Sequence, residues 1–387
     1  MPATQSKTLS PDLYPVSELR PLPSPRLLVF RAIVERNVER MRAQLEAIVP
    51  GSGFRHLTPH VKTHKSAWAT RLLLDRGVRS FKASLNELDM LLDCAVPEVF
   101  VAYPLLPDAC ARVARAARDH PATSITCQVA SVEQATALAA AALDAGVELD
   151  TLIDVDVGNG RTGIAPDRVA HLARRLHKGS AFGPLRLRGI HGYDGHNQSP
   201  RAEERAACAR EAMEKVVACA GALEDAGVPA TRVVVGGSPG FLPDLEELYV
   251  RHRLDARVEV SPGTWIYWDT KYDGTLPDHF EIAAVVLGRV MDVPAADRIT
   301  LDLGHKRWSI DQGPVERFSR GGLEFVSATE EHTVLRVLEG APPAYGDSLL
   351  LAPRHVCPTV NLWESFTLIG PGGEVEAEAL PVTARNR

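Results

Sequence analysis

The sequence has no run of about 18 apolar residues, the length a helix needs to cross a bilayer, so no membrane-spanning helix is expected. It has no CxxC pair and no closely spaced cysteine framework. Cys94, Cys110, Cys127, Cys208, Cys219 and Cys357 are scattered in or beside expected helices and strands. That distribution argues against a disulfide scaffold and suits a reduced, cytoplasmic protein. Nor is there a dense basic run interleaved with aromatics: 43 Lys plus Arg against 49 Asp plus Glu leave a formal net charge of -6. Nucleic acid is therefore not an expected partner, and neither is a membrane. Residues 1–25 form an extension rich in Pro and Ser without the apolar core of a signal peptide. No fixed-period repeat and no low-complexity segment is present.

What is present is a long alternation. The 387 residues allow one large domain plus a smaller one. Runs of strand type lie at 54–62, 79–84, 98–103, 124–129, 151–157, 185–193, 232–237 and 257–268. Helical periods separate them at 66–76, 86–94, 108–120, 132–145, 167–178, 202–226 and 242–253. Eight strands alternating with helices predict a (β/α)8 barrel over 26–271. From residue 272 to 387 the texture becomes β-rich and punctuated by Gly and Pro, with strand-type runs at 280–287, 298–303, 323–327, 333–337, 348–351 and 366–369. This predicts a second, mainly β domain, and the early run Leu27-Leu28-Val29-Phe30 is a candidate to pair with it.

A barrel collects its chemistry at the C-terminal ends of its strands. The first strand is expected to end at Lys62, within Thr58-Pro59-His60-Val61-Lys62-Thr63-His64-Lys65. An amine enclosed there loses its proton more easily, and only a neutral amine forms a Schiff base. A lysine that merely ends its strand in solvent is the plainer alternative. The fifth strand ends in Asp154-Val155-Asp156-Val157-Gly158-Asn159-Gly160-Arg161-Thr162-Gly163, a glycine-rich turn presenting one arginine. The sixth ends in His191-Gly192-Tyr193-Asp194-Gly195-His196. The seventh and eighth end in Gly236-Gly237-Ser238 and Ser261-Pro262-Gly263-Thr264, turns of the kind that let backbone N–H groups approach a phosphate. Each alone also reads as turn chemistry, a surface ion pair or core packing. Together on one face they suggest a phosphorylated aldehyde cofactor.

These stretches, with His355-Val356-Cys357-Pro358-Thr359, resemble the D-threonine aldolase / D-serine dehydratase family, which belongs to the fold-type III, alanine-racemase-like pyridoxal phosphate enzymes. The resemblance runs from about residue 27 to 382. It implies that Lys62 bears the Schiff base to pyridoxal 5'-phosphate and that Arg161 reaches the cofactor's phenolic oxygen. It also implies that Tyr193 lies near the ring and that Gly237, Ser238, Gly263 and Thr264 hold the phosphate. A homodimer is implied as well. Lys65 is a competing lysine by type and matches the family's second lysine.

His355 and Cys357 are two apart on what reads as an extended stretch, so both side chains could face one ion. In the family this motif binds a divalent metal that grips the substrate's β-hydroxyl. The thiolate favours zinc over manganese or magnesium. A His-x-Cys motif is the dehydratase form, whereas Pro358-Thr359, Asn361, Lys306 and Ser309-x-Asp311-x-Gly313 resemble the aldolase branch. Ser261 stands where arginine or cysteine is expected. The resemblance implies a lyase acting on D-3-hydroxy-α-amino acids. Retro-aldol cleavage to glycine and an aldehyde is the first expectation, and dehydration to a keto acid and ammonia is the alternative. A racemase, which needs a second base such as Tyr345, and a non-catalytic cofactor carrier are less favoured.

Overall fold

A computed structural model describes residues 8–15, 20–178 and 182–385. In chain order the elements begin with β1 (Arg26–Phe30), α1 (Arg31–Ile48), α2 (Ala67–Asp75), β2 (Ser80–Ala83), α3 (Leu88–Asp93), β3 (Glu98–Val101), α4 (Pro107–Asp119) and β4 (Ser124–Val129). They continue with α5 (Val132–Ala145), β5 (Leu149–Val155), α6 (Val169–Lys178), β6 (Leu185–Gly192), α7 (Ala202–Asp225), β7 (Arg232–Val235), α8 (Phe241–Leu245), β8 (Arg257–Val260) and α9 (Thr270–Thr275). The remainder is β9 (Ala284–Ala295), β10 (Arg298–Leu301), β11 (Arg317–Phe318), β12 (Leu323–Ala328), β13 (Thr333–Val337), β14 (Ser348–Ala352), α10 (Val356–Asn361), β15 (Ser365–Ile369) and β16 (Val375–Pro381). The described residues within 1–40, 63–68 and 264–385 make one compact unit, and those within 41–62 and 69–263 the other.

In the second of these units β2 to β8 form a seven-stranded, all-parallel sheet in sequence order. Residues 54–62, expected as the first strand, form isolated bridges instead: Leu57 pairs with Val260 and His60 with Lys82. Pro59 lacks an N–H and interrupts the ladder. The segment still bonds to both edges of the sheet. On the β8 side Val260 N–H donates to His56 O (2.8 Å) and Thr58 N–H to Val260 O (2.9 Å); on the β2 side Val61 N–H donates to Lys82 O (2.9 Å) and Lys82 N–H to Pro59 O (3.0 Å). It thus occupies the eighth place of a closed barrel, and the expected (β/α)8 architecture is what forms. The eighth predicted strand is shorter than 257–268. It stops at Val260, because Pro262 and a helical turn at Thr264–Ile266 follow.

Local signals explain why α5 matches its predicted bounds. Ser131 Oγ accepts from Gln134 N–H (3.2 Å), Gln134 Oε1 accepts from Ala130 N–H (2.7 Å), and Gly146 closes the helix at φ 69°.

The barrel interior is layered. Phe100, Leu152 and Val234, from β3, β5 and β7, make an apolar cluster. Below it is a buried polar set in which Arg232 Nε meets Glu259 Oε2 at 2.6 Å, Nη1 meets Thr126 Oγ1 at 3.0 Å and Nη2 meets Ser80 Oγ at 2.9 Å. Thr58 Oγ1 completes the set by bonding Glu259 Oε1 and Ser80 Oγ. Gly189 lets β6 approach β7 closely, since a Cβ there would lie 2.0 Å from the backbone carbonyl oxygen of Arg232.

In the other unit a nine-stranded sheet runs β12-β13-β10-β9-β1-β15-β16, with β14 pairing β9 and β11. β1, the Leu27–Phe30 run, is antiparallel to β9 and parallel to β15. Among the described residues no helix is long and apolar enough to cross a membrane, and all six cysteines are free.

Glu259→Ala should strip the buried Arg232 guanidinium of its carboxylate and cost about 3–5 kcal/mol. Urea denaturation followed by tryptophan fluorescence measures this, and a loss under about 1 kcal/mol would show that the guanidinium is satisfied without Glu259.

Candidate active site

Each unit carries a cluster of functional side chains. In the barrel, Lys62 lies in the turn after the closing segment, exposed, with its N–H donated to His60 Nδ1 (3.3 Å). The glycine turn after β5 is organised by Asp156, whose Oδ1 accepts from the N–H groups of Gly158 and Gly160, both at 3.0 Å. The turn presents Arg161 with its guanidinium 5.0 Å from the centre of the Tyr193 ring. Among the described residues neither Lys62 nor Arg161 makes an ion pair. Glycines bracket Tyr193: a Cβ on Gly195 would lie 2.3 Å from its ring and one on Gly237 3.2 Å from it. The Gly237 N–H donates to the buried Asp194 Oδ1 at 2.7 Å, so this amide is already committed within the chain. Burial raises the Asp194 carboxyl above its usual range.

Beneath these groups lies a set centred on Lys82, a residue that the sequence did not single out. Lys82 is 3% exposed, and its Nζ is 2.8 Å from His191 Nε2 and 2.9 Å from Ser261 Oγ. His191 Nδ1 is 2.7 Å from Asp154 Oδ1, and Asp154 Oδ2 accepts from Gln128 Nε2 at 3.0 Å. Burial, then repulsion from Lys62, lowers the Lys82 amine to about 7. Burial, then Lys82, lowers His191 to about 4. The sequence signal was a lysine two positions into a short buried strand, Ser80-Phe81-Lys82-Ala83, where only the register with His60 shows that it points inward.

In the β unit, His355 is extended (φ -134°, ψ 105°) and caps α10, so Cys357 sits in the first turn of a short helix rather than on the expected extended stretch. Despite this difference the two side chains still interact, since Cys357 raises the His355 imidazole. The other partner of His355 is Asp311, whose Oδ2 lies 2.7 Å from Nδ1. Burial alone would lower the imidazole, but Cys357 and then Asp311 outweigh it and hold the value at about 9. Cys357 Sγ also meets Thr63 Oγ1 at 3.1 Å and Thr264 Oγ1 at 3.7 Å. Asp269, raised to about 6 by burial, accepts the Val356 N–H at 3.0 Å. Thr63, Asp269 and the role of Asp311 behind His355 were not anticipated. Outside these clusters Asp302 accepts the Arg289 N–H, and Lys306, of the aldolase-like stretch, pairs with Glu330 and Glu331. Lys65 is buried at φ 48°, and Tyr345 is 80% exposed.

A closed parallel barrel with a strand-end lysine, combined in one chain with a β unit that shares the N-terminal strand, defines the alanine-racemase class of architecture. The chain belongs to the alanine racemase N-terminal domain family, whose model matches residues 32–270; the putative serine dehydratase domain model matches residues 283–369. It is similar to a D-threonine aldolase of Arthrobacter sp., 28% identical over 377 residues, covering 94% of this chain and 93% of the relative. A 3-hydroxy-D-aspartate aldolase of Paracoccus denitrificans is 27% identical, covering 94% and 92%. Among solved structures, D-threonine aldolase from Filomicrobium marinum superposes with a TM-score of 0.83 at 26% identity, covering 95% of this chain and 96% of that one. An alanine racemase of Clostridium difficile shares the fold at a TM-score of 0.68 and 13% identity, covering 92% and 98%.

The barrel cluster fits a phosphorylated aldehyde. It offers a strand-end amine, a guanidinium without an ion-pair partner and glycine turns that a Cβ would fill. The β-unit cluster offers one imidazole and one thiol, with a carboxylate on the far nitrogen of the imidazole, which is the donor chemistry of an open divalent-metal site. Among the described residues no group of three or more His, Cys, Asp or Glu is placed to hold a metal ion.

Because the folded state lowers the Lys82 amine from 10.5 to about 7, its charging opposes folding fully below pH 7 and ceases to do so as pH rises towards 10.5. The stability of Lys82→Met relative to wild type should therefore fall steadily from pH 7 to pH 10. Constant packing losses cancel from this slope; paired denaturation curves at several pH values measure it, and a flat difference would contradict the buried, neutral amine.

Proposed function

We propose that the chain is a lyase of D-3-hydroxy-α-amino acids dependent on pyridoxal 5'-phosphate and a divalent metal, and that it performs retro-aldol cleavage of the D-threonine aldolase type. The observation that carries this is the 28% identity, over 94% of the chain, to a D-threonine aldolase. The clusters described above support it.

Lys62 would hold the cofactor covalently through its amine. Arg161 would meet its phenolic oxygen, Tyr193 would flank the ring, and the turns carrying Gly237, Ser238, Gly263 and Thr264 would take the phosphate. With the Gly237 N–H committed to Asp194, Ser238 and the remaining turn amides carry that task. His355 and Cys357 would hold the metal, zinc being preferred by the thiolate, with manganese or magnesium as alternatives. When bound, the cofactor supplies an electron sink for charge at the substrate's Cα, and the metal polarises the β-oxygen.

The chain's own contribution is orientation and protonation state. Asp311 accepts from His355 Nδ1–H, which fixes the tautomer and leaves Nε2 as the donor atom for a metal. The hydroxyls of Thr63 and Thr264 lie near Cys357 Sγ, at 3.1 and 3.7 Å, and help to fix its position. Asp156 holds the turn that aims Arg161, and Tyr193 receives that guanidinium on its ring face.

A second activity, dehydration to a keto acid and ammonia, is favoured by Cys357 as partner of His355. A homodimer and a cytoplasmic location accompany the proposal.

Incubation with D-threonine or L-threonine, with both cofactors supplied, should yield glycine and acetaldehyde from the D-isomer alone. Formation of 2-oxobutanoate and ammonia would make the chain a dehydratase, and no turnover of either isomer would sink the lyase. Lys62→Ala should fold and lose the visible absorbance of the bound cofactor; a variant that keeps a borohydride-reducible chromophore would refute Lys62. Cys357→Ser should lower bound zinc and turnover together, and full activity without zinc would remove the metal from the reaction.

A further inference from the structure

Lys82 serves no role in the proposed reaction, yet its surroundings are those of an activated nucleophile. Its register partner is His60 on the closing segment, so it lies two residues below Lys62 on the barrel wall, roughly 6–7 Å of strand rise. Its Nζ meets two partners inside the barrel, His191 Nε2 at 2.8 Å and Ser261 Oγ at 2.9 Å. The protonation states follow from what each partner can give. Asp154 accepts from His191 Nδ1 at 2.7 Å, so that nitrogen carries the hydrogen and Nε2 offers a lone pair to Lys82. The Ser261 hydroxyl donates to the Val235 and Gly236 carbonyls, both at 3.0 Å, so its oxygen also accepts from Lys82. A neutral amine that donates two hydrogens in these directions keeps its lone pair in the remaining one. The Tyr193 ring, 5.3 Å from Nζ, and the Phe100 ring, 5.9 Å away, border the amine.

We infer that Asp154, His191 and Lys82 form a base-activated amine triad, and that Lys82 is a second carbonyl-reactive lysine of the barrel, taking small aldehydes of one or two carbons. The ordering of carboxylate, imidazole and nucleophile is the general arrangement by which a base activates a weak nucleophile. Close packing by His191, Ser261, Phe100 and Tyr193 restricts it to small carbonyl compounds. Lys82 carries no ion pair among the described residues; burial and the charges of Lys62 and Arg161 disfavour its proton and outweigh the pull of Asp154 and Asp194, neither of which touches it directly. In the reaction the Nζ lone pair adds to the carbonyl carbon. The carbonyl oxygen then leaves as water with the two amine hydrogens, and an imine remains. The inference does not depend on the activity proposed above.

The test is reductive alkylation of the intact wild-type chain with formaldehyde and cyanoborohydride, the latter supplying the hydride that traps the imine, followed by peptide mass mapping. At pH 7 an ordinary lysine is neutral in only about one molecule in a thousand, so Lys82 should be modified at least about tenfold faster than Lys215 and Lys271. That advantage should shrink as pH rises towards 10. Asp154→Asn, which removes the carboxylate anchoring the His191 tautomer, should slow Lys82 and leave Lys215 and Lys271 unchanged. A Lys82 that stays unmodified while the surface lysines react would overturn the reactive amine. An Asp154→Asn variant with wild-type labelling of Lys82 would overturn the triad.

Discussion

Backbone hydrogen bonding along both sides of one irregular segment is the constraint on which the barrel depends. Residues 56–61 bond to β8 on one side and β2 on the other, closing seven strands into a ring without forming a regular strand. Closure removes both sheet edges, and it sets the register that faces Lys82, His191 and Ser261 to one interior point. Lys62 follows directly from that segment, so the same bonds that complete the barrel fix where its strand-end amine begins.

Polar groups inside this barrel are tolerated because they are satisfied in sets. Arg232, Glu259, Thr58, Ser80 and Thr126 neutralise and bond one another below the apolar trio. Above it, Lys82 is accommodated differently: its partners are neutral His191 and Ser261, and burial shifts the amine itself towards the uncharged form. A buried ion pair and a buried neutral amine thus occupy two levels of one interior, on either side of the apolar trio, distinguished by whether a carboxylate is in direct contact. In the β unit a carboxylate again decides the outcome, since Asp311 on Nδ1 determines which nitrogen of His355 is free for other work.

Much of the architecture was legible because long periodic segments carry their own signal. The alternation of helix and strand periods locates β2 to β8, and α5 matches residue for residue because its cap residues, Ser131, Gln134 and Gly146, are local. The segment around Pro59 was misread as a strand because pairing on both sides is a property of its neighbours, which the pattern of one run does not contain. His355-Val356-Cys357 was read as extended because α10 is only six residues long, too short for a helical period to be visible. Lys82 escaped notice, and the roles of Asp311, Thr63 and Asp154 were not legible, for one reason: each matters through a partner far away in the chain.

The sequence by itself determined the class of fold, the candidate strand-end lysine, the glycine turns and the His-x-Cys motif, since these rest on periodicity and on residue types within a few positions. Only the tertiary structure decided which groups meet. Asp311 is 44 residues from His355, and Lys82 lies 109 residues from His191 and 179 from Ser261. Hydrogen-bond partnership, tautomer and protonation depend on distances of a few ångströms and on burial, and separation along the chain records neither.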